Sequence, residues 1–293
     1  ALQDVPNDDL ELQLVWLMAL KKHGLGLDHR KLGQIWLDHI PHGVDEYSFA
    51  LRNLKRGIMP PASGWKDNFF TDGMGAAIRS EIWAAVFAGR PDAAGYFAAL
   101  DASVDHWGDG VRAEVYMATA ECLAFENPDC AATLKQALEI LPDCRLKRTL
   151  CKVHELHESG MSDDAMRDYL LRHYQHHNFT DCVMNLASMT FALLRGGGDF
   201  LKTILLEVNI GAEESKSGFS QEEIWQTVEK MADFPHCRLC GLMAIPPISL
   251  HPGDNRRYFA EMRNLFVDIS EKKYDNVDME CLSMGMSGDY ADA

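Results

Sequence analysis

Apolar positions recur at helical spacing through most of residues 9–205. Leu10, Leu14, Leu17 and Leu20 form one stripe, and Ile78, Ile82, Ala85 and Val86 form another. Spacings of three and four residues are those of a helix with one apolar face. Further helices are predicted over 29–40, 44–56, 91–104, 110–126, 130–141, 144–159, 163–176 and 181–195. The breaks between them hold Pro41, Pro60-Pro61, Gly89 to Pro91, Gly108 to Gly110, Pro128, Pro142 and Gly196-Gly197-Gly198. These are residues that cannot continue a helix or that free the backbone to turn. The rhythm changes after residue 205. A short apolar run, Ile204 to Ile210, precedes a helix opening at Ser220-Gln-Glu-Glu, where Ser is the N-cap and a Glu stands in the first turn. A strand over 238–245, Pro246-Pro247, a helix over 255–273 and a strand over 279–284 follow. That order is β-α-β-α-β, the pattern of parallel strands joined by crossover helices. The fold expected is mainly α, with an all-α domain at 1–204 and a partial α/β segment at 205–293.

Composition narrows the function classes. Apolar residues make up 47% of the 293 residues and charged residues 25%, an ordinary globular balance. A formal net charge of −16 argues against binding a nucleic-acid backbone, which depends on Lys and Arg displacing counterions. Eight cysteines, at 122, 130, 144, 151, 182, 237, 240 and 281, show no framework spacing. Reduced thiols in a cytoplasmic protein are the expectation. The Cys237-Arg-Leu-Cys240 pair lacks the further ligands a zinc site needs, and reads as two cysteines on a buried strand. No signal peptide and no apolar run near 18 residues is present, so no membrane span is expected. The chain opens at Ala1 close upstream of its first motif, which reads as a shortened amino terminus.

Three stretches carry candidate chemistry. PNDDLELQLVW, residues 6–16, sets adjacent carboxylates at a helix start. Hard divalent cations take such oxygen ligands, and the same residues also serve as helix caps near the positive end of the dipole. GMGAAIRSEIWA, residues 73–84, is a glycine turn running into a helix, suited to close backbone approach or to tight packing. DASVDHWGDG, residues 101–110, gathers acids, His106 and Trp107 at a helix end. His173, His176 and His177, spaced to share a helical face, read as a solvated cluster or a metal site.

Taken in order with the later LLRGGGDFLKTI and VNIG, these motifs resemble the ADP-ribosylglycohydrolase family over roughly residues 6–211. That resemblance implies an all-α fold with two Mg²⁺ ions in a cleft. It also implies hydrolysis of the bond from the anomeric ribose carbon of ADP-ribose in a small molecule or a modified protein. By position, Asn7, Asp8 and Asp9 resemble the amino-terminal metal ligands, and Gly73, Gly75 and Arg79 the substrate-binding segment. His106 resembles the cleft histidine, so Asp8, Asp9 and His106 are the expected catalytic set. Two departures stand out. The family's glycine-rich opening is absent, and its late Asp-x-Asp metal motif reads Glu213-Glu214-Ser215, leaving Glu213 as the one ligand there. Truncation is expected to impair activity and to leave two, one or no Mg²⁺ bound.

From residue 205 onward VNIGAEESKSGF, CRLCGLMAIPP and LSMGMSGDYADA resemble three consecutive blocks of YggS-type pyridoxal-phosphate homeostasis proteins. The resemblance implies part of a TIM-like barrel, with Ser283, Gly285 and Ser287 where that family meets the cofactor phosphate and Met243 facing the cofactor. The family's Schiff-base lysine falls in a half of the barrel that has no counterpart here, and Lys216 has no aldimine role, so covalent pyridoxal phosphate is not expected. The chain thus reads as a hybrid of two incomplete families meeting at VNIG. An ADP-ribosyl hydrolase is the first reading, with a non-enzymatic pyridoxal-phosphate-binding fragment or an inactive hybrid as alternatives.

Overall fold

The computed structural model describes residues 8–40, 45–197, 204–213, 218–231, 239–247, 251, 253–285, 289 and 292–293. The chain divides into two compact units, Ala1–Gly198 and Asp199–Ala293. The first is helical. Its order is α1 (Asp8–His23), α2 (His29–His39), α3 (Asp45–Lys55), α4 (Ala62–Trp65), a 3-10 turn (Ala77–Arg79), α5 (Glu81–Val86), α6 (Pro91–Ala102) and α7 (Asp109–Ala124). There follow α8 (Cys130–Ala137), a second 3-10 turn (Leu138–Ile140), α9 (Arg145–Glu158), α10 (Asp163–Tyr174) and α11 (Cys182–Gly196).

Local chemistry sets these boundaries. Asp28, Asp129, Ser162 and Asp181 each accept a hydrogen bond from a first-turn amide of the helix that follows. Pro91 opens α6, where its missing N–H costs nothing, and Gly197 closes α11 in the left-handed conformation. Helix α7 is buried on two sides. Ala118 and Cys122 join a core with Trp16, Trp36, Trp83 and Phe97, whereas Tyr116 and Ala120 join another with Leu146, Leu150, Met166 and Leu186.

Three expectations need correction. The stripe on α1 lies on the wrong face: Leu14 and Leu17 are 50% and 49% exposed, and the buried face is Leu12, Val15, Trp16 and Ala19. The central run of that helix, Leu14 to Leu20, is apolar all round, so periodicity alone does not choose its inner side. The helix expected through 78–86 is interrupted, because the Ser80 hydroxyl turns back to donate to the Ala77 carbonyl and Arg79 is drawn inward. Helix α10 stops at Tyr174, so His176 and His177 lie beyond it and share no helical face with His173.

The second unit contains β1 (Ile204–Glu207), α12 (Gln221–Lys230), β2 (Leu239–Ala244), α13 (Arg256–Glu271) and β3 (Val277–Met284). Among the described residues these strands form one parallel sheet in the order β1-β2-β3. Ile224 and Val228 of α12 and Met262, Leu265 and Ile269 of α13 pack with Leu239 and Leu242 of β2. Ser220 and Glu223 form the reciprocal capping box expected from SQEE. Among the described residues no helix is long and apolar enough to cross a membrane.

Candidate functional site

Polar segments of the helical unit are laced together by hydrogen bonds that engage the backbone. Asn68 donates from its side-chain amide to the carbonyls of Gly64 and Asp105, each at 2.8 Å. The Trp107 amide donates to the Thr71 carbonyl at 3.0 Å, and the Asp109 amide donates to Asp72 Oδ1 at 2.9 Å. Gly64 lies against the backbone of His106 so closely that a Cβ there would overlap its carbonyl. The turn before the 3-10 helix is thereby held against the turn after α6, which brings Gly73, Gly75, Arg79 and His106 together.

Arg79 is the hub. Its side chain is fully buried, donating from Nε to Asp101 at 3.0 Å, from Nη1 to the Gly75 carbonyl at 3.0 Å, and from Nη2 to Asp105 at 2.7 Å. Asp101 also accepts from Trp83 Nε1 at 2.8 Å. A buried guanidinium is tolerable only when opposite charges and hydrogen bonds replace water, and two carboxylates do so here. Burial alone would raise the Asp105 carboxyl, but Arg79 and then His106 hold it well below the usual range. Asp101 goes the other way, because burial outweighs the same guanidinium and raises it. Glu114 of α7 is fully buried nearby; burial, then the charge of Asp101, push it well above an ordinary carboxyl.

His106 sits at the outer end of this network. Nδ1 lies 3.0 Å from Asp105 Oδ1 and Nε2 lies 3.4 Å from Glu46 Oε2, with the ring fully buried and Glu46 nearly so. Burial opposes charge on the ring, yet Asp105 and Glu46 prevail and push its pKa up to about 9. Between its two carboxylates the ring is an imidazolium at neutral pH. Gly73 and Gly75 flank Glu46: a Cβ on either would fall on its carboxylate oxygens. Their small size is used by a side chain of the protein itself.

The remaining expected residues fall elsewhere. Asp8 and Asp9 are the first two residues of α1, with side chains outside the described set, and Asn7 lies outside the described residues. Glu213 belongs to the second unit, where its amide donates to Asn209 Oδ1 and its carbonyl accepts from Asn209 Nδ2. Ser283 is exposed near the end of β3, opposite Met243 of β2, and Gly285 follows with a φ of +90°. Ser215, Lys216, Cys237 and Ser287 lie outside the described residues. Among the described residues no group of three His, Cys, Asp or Glu side chains is placed to hold a metal ion.

Glu46 and Glu114 were not singled out from the sequence. Glu114 looks like an ordinary polar residue in a helix, and Glu46 meets His106 across 60 residues of chain, a separation that no local pattern registers. The available clue was the spacing of Asp101, Asp105 and His106 within DASVDH, which suits one helical turn collecting around a cation.

Comparison with known proteins bears on the chain in two ways. Curated pyridoxal phosphate homeostasis proteins match part of it: one from Synechocystis is 37% identical over 89 residues, covering 30% of this chain and 40% of the relative. One from Aquifex aeolicus is 38% identical over 92 residues, covering 31% and 40%, and one from Escherichia coli K12 is 35% identical over 86 residues, covering 29% and 36%. The chain therefore spans about two fifths of the length of these relatives. No solved structure matches it significantly. The family model described as ADP-ribosylglycohydrolase matches residues 3–215, well over half of the chain and inclusive of the Gly73–Arg79 turn, the buried network and His106, and on that match the protein belongs to the ADP-ribosylglycohydrolase family.

Proposed function

We propose that the helical unit is a Mg²⁺-dependent hydrolase acting at the anomeric ribose carbon of an ADP-ribosylated substrate or an ADP-ribose derivative. The observation that carries this reading is the family match over 3–215, which includes the segments the structure assembles around His106. In this proposal Asp8 and Asp9, with Asn7, are metal ligands, and Gly73 and Gly75 belong to the substrate cleft. His106 contributes a fixed positive charge rather than a mobile proton, because both ring nitrogens face carboxylates. Arg79, having no exposed surface, acts by holding Asp105 behind the histidine. A cytoplasmic location and an ADP-ribose-bearing small molecule or protein as partner belong to the same reading.

The pyridoxal-phosphate relatives favour a second reading for the sheet-bearing unit, as part of a TIM-like barrel whose phosphate-facing loop begins at Ser283 and Gly285. Covalent cofactor chemistry is not part of it. Calorimetric titration with ADP-ribose, with and without Mg²⁺, tests the first reading. Metal-dependent binding lost in the Asp8→Ala/Asp9→Ala variant is expected; unchanged binding in that variant would overturn the ligand assignment, and absence of ADP-ribose binding in the unmodified protein would overturn the hydrolase reading.

A further inference from the structure

We infer that Glu46 is the positioning residue of His106, and that Gly73 and Gly75 are glycines because its carboxylate must pass between them to reach the ring. The inference rests on the hydrolase reading for its functional meaning, but its geometry stands independently. Glu46 lies in the first turn of α3, where a carboxylate is favoured by the helix dipole. It is 7% exposed, and Oε2 approaches Nε2 of His106 at 3.4 Å. Its neighbour Tyr47 donates from Oη to the Gly75 carbonyl at 3.3 Å. The start of α3 therefore grips the glycine turn twice, once through that carbonyl and once by filling the space two side chains would need.

The titratable groups of this network come from several elements: Glu46 from α3 and Asp105 from beyond α6 face the ring, and Arg79 from the 3-10 turn, Asp101 from the end of α6 and Glu114 from α7 lie behind Asp105. Asp72 and Asp109 flank the next turn and are committed elsewhere, Asp72 to a backbone amide and Asp109 to Arg112 and Arg145. Among the described residues only Asp105 and Glu46 meet the imidazole nitrogens. Asp105 is itself fixed by Arg79, so Glu46 is the adjustable member of the pair. Its removal frees Nε2 and turns a fixed cation into a titrating base.

The folded pKa of about 9 lies above the ordinary 6.5. The contact therefore contributes stability that is complete below 6.5 and is lost as pH rises through about 9.

The test is the ring titration of His106 by NMR in the full chain, unmodified and as Glu46→Gln, a change that keeps size and removes charge. The unmodified ring is expected to stay protonated to about pH 9, and Glu46→Gln to bind that proton about tenfold more weakly or worse. A purely structural role for Glu46 would leave the titration where it is, and that result would overturn the inference. Gly73→Ala supplies a second test, since its added carbon competes with the carboxylate for one space. It should shift the ring titration as Glu46→Gln does, and its destabilisation should be relieved in the Glu46→Ala background. If Gly73→Ala alone fails to fold, folding of the double variant supports the inference; equal damage in both backgrounds refutes it. None of these measurements needs ADP-ribose or metal, so their failure is distinct from failure of the hydrolase reading.

Discussion

Replacing Arg79 by Met removes the cation from a fully buried site while keeping most of the aliphatic stem that packs there. The guanidinium donates to Asp101, to Asp105 through two nitrogens and to the Gly75 carbonyl, at 2.7 to 3.0 Å. None of its partners can reach water, since Asp101 and Asp105 are both 0% exposed. Truncating one partner of a buried ion pair costs about 3–5 kcal/mol, mostly because the remaining charge is stranded. Here Asp105 keeps His106, whereas Asp101 keeps the Trp83 indole and the neighbouring Glu114 carboxyl, so the expected loss lies within that interval at pH 7. Without the cation, burial raises the pKa of both carboxyls in the folded state. A raised carboxyl contributes stability below its unfolded pKa and loses it as pH climbs through the folded one. The deficit of Arg79→Met should therefore be largest at pH 7 and shrink towards pH 4.5. Arg79→Lys keeps the charge but loses the planar fork, and should cost less. Urea unfolding followed by tryptophan fluorescence suits the measurement, because Trp16, Trp36, Trp65, Trp83 and Trp107 all lie in the helical unit and only Trp225 lies outside it. A loss below about 1 kcal/mol at pH 7, or a deficit independent of pH, would refute the electrostatic account and reduce Arg79 to a packing residue.

Three further outcomes are expected. Glu121 faces the Ser80 hydroxyl at 3.1 Å; burial, then the charge of Glu81, push its pKa up to about 8. The stability it contributes below about 4.5 is lost as pH rises through 8, so Glu121→Gln should melt higher than the unmodified protein at pH 9 and equally at pH 4. Leu12→Ala should cost about 2–5 kcal/mol and Leu17→Ala less than about 0.5 kcal/mol in denaturant titrations; comparable losses would restore the stripe read from periodicity. Incubation with stoichiometric pyridoxal phosphate, borohydride reduction and mass mapping should give scattered, substoichiometric lysine labels, because a Schiff base needs an amine of lowered pKa held against the aldehyde. One saturating adduct on a single lysine would contradict this and favour a carrier role for the second unit.

Elements legible from the sequence alone are those decided within a few residues. Side-chain caps at Asp28, Asp129, Ser162 and Asp181, Pro91 at a helix start and the Ser220–Glu223 box each act over one turn, so composition and order were enough to place helices and the β-α-β-α-β run. Tertiary structure decided whatever depends on chain segments far apart. The inner face of α1 was ambiguous until Trp16 met Trp83, with ring centroids 6.5 Å apart. The helix through 78–86 gave way because pairing Arg79 with Asp101 and Asp105 draws that residue inward. VNIG, the stretch that reads as either family, follows directly on β1 and is tied to β2 at its first residue: the Val208 amide donates to the Met243 carbonyl at 2.7 Å. Glu46 shows the limit most plainly. A carboxylate in a first helical turn is ordinary in any sequence, and only folding sets it between two glycines and a histidine, because burial and charge pairing act through distance in space and not along the chain.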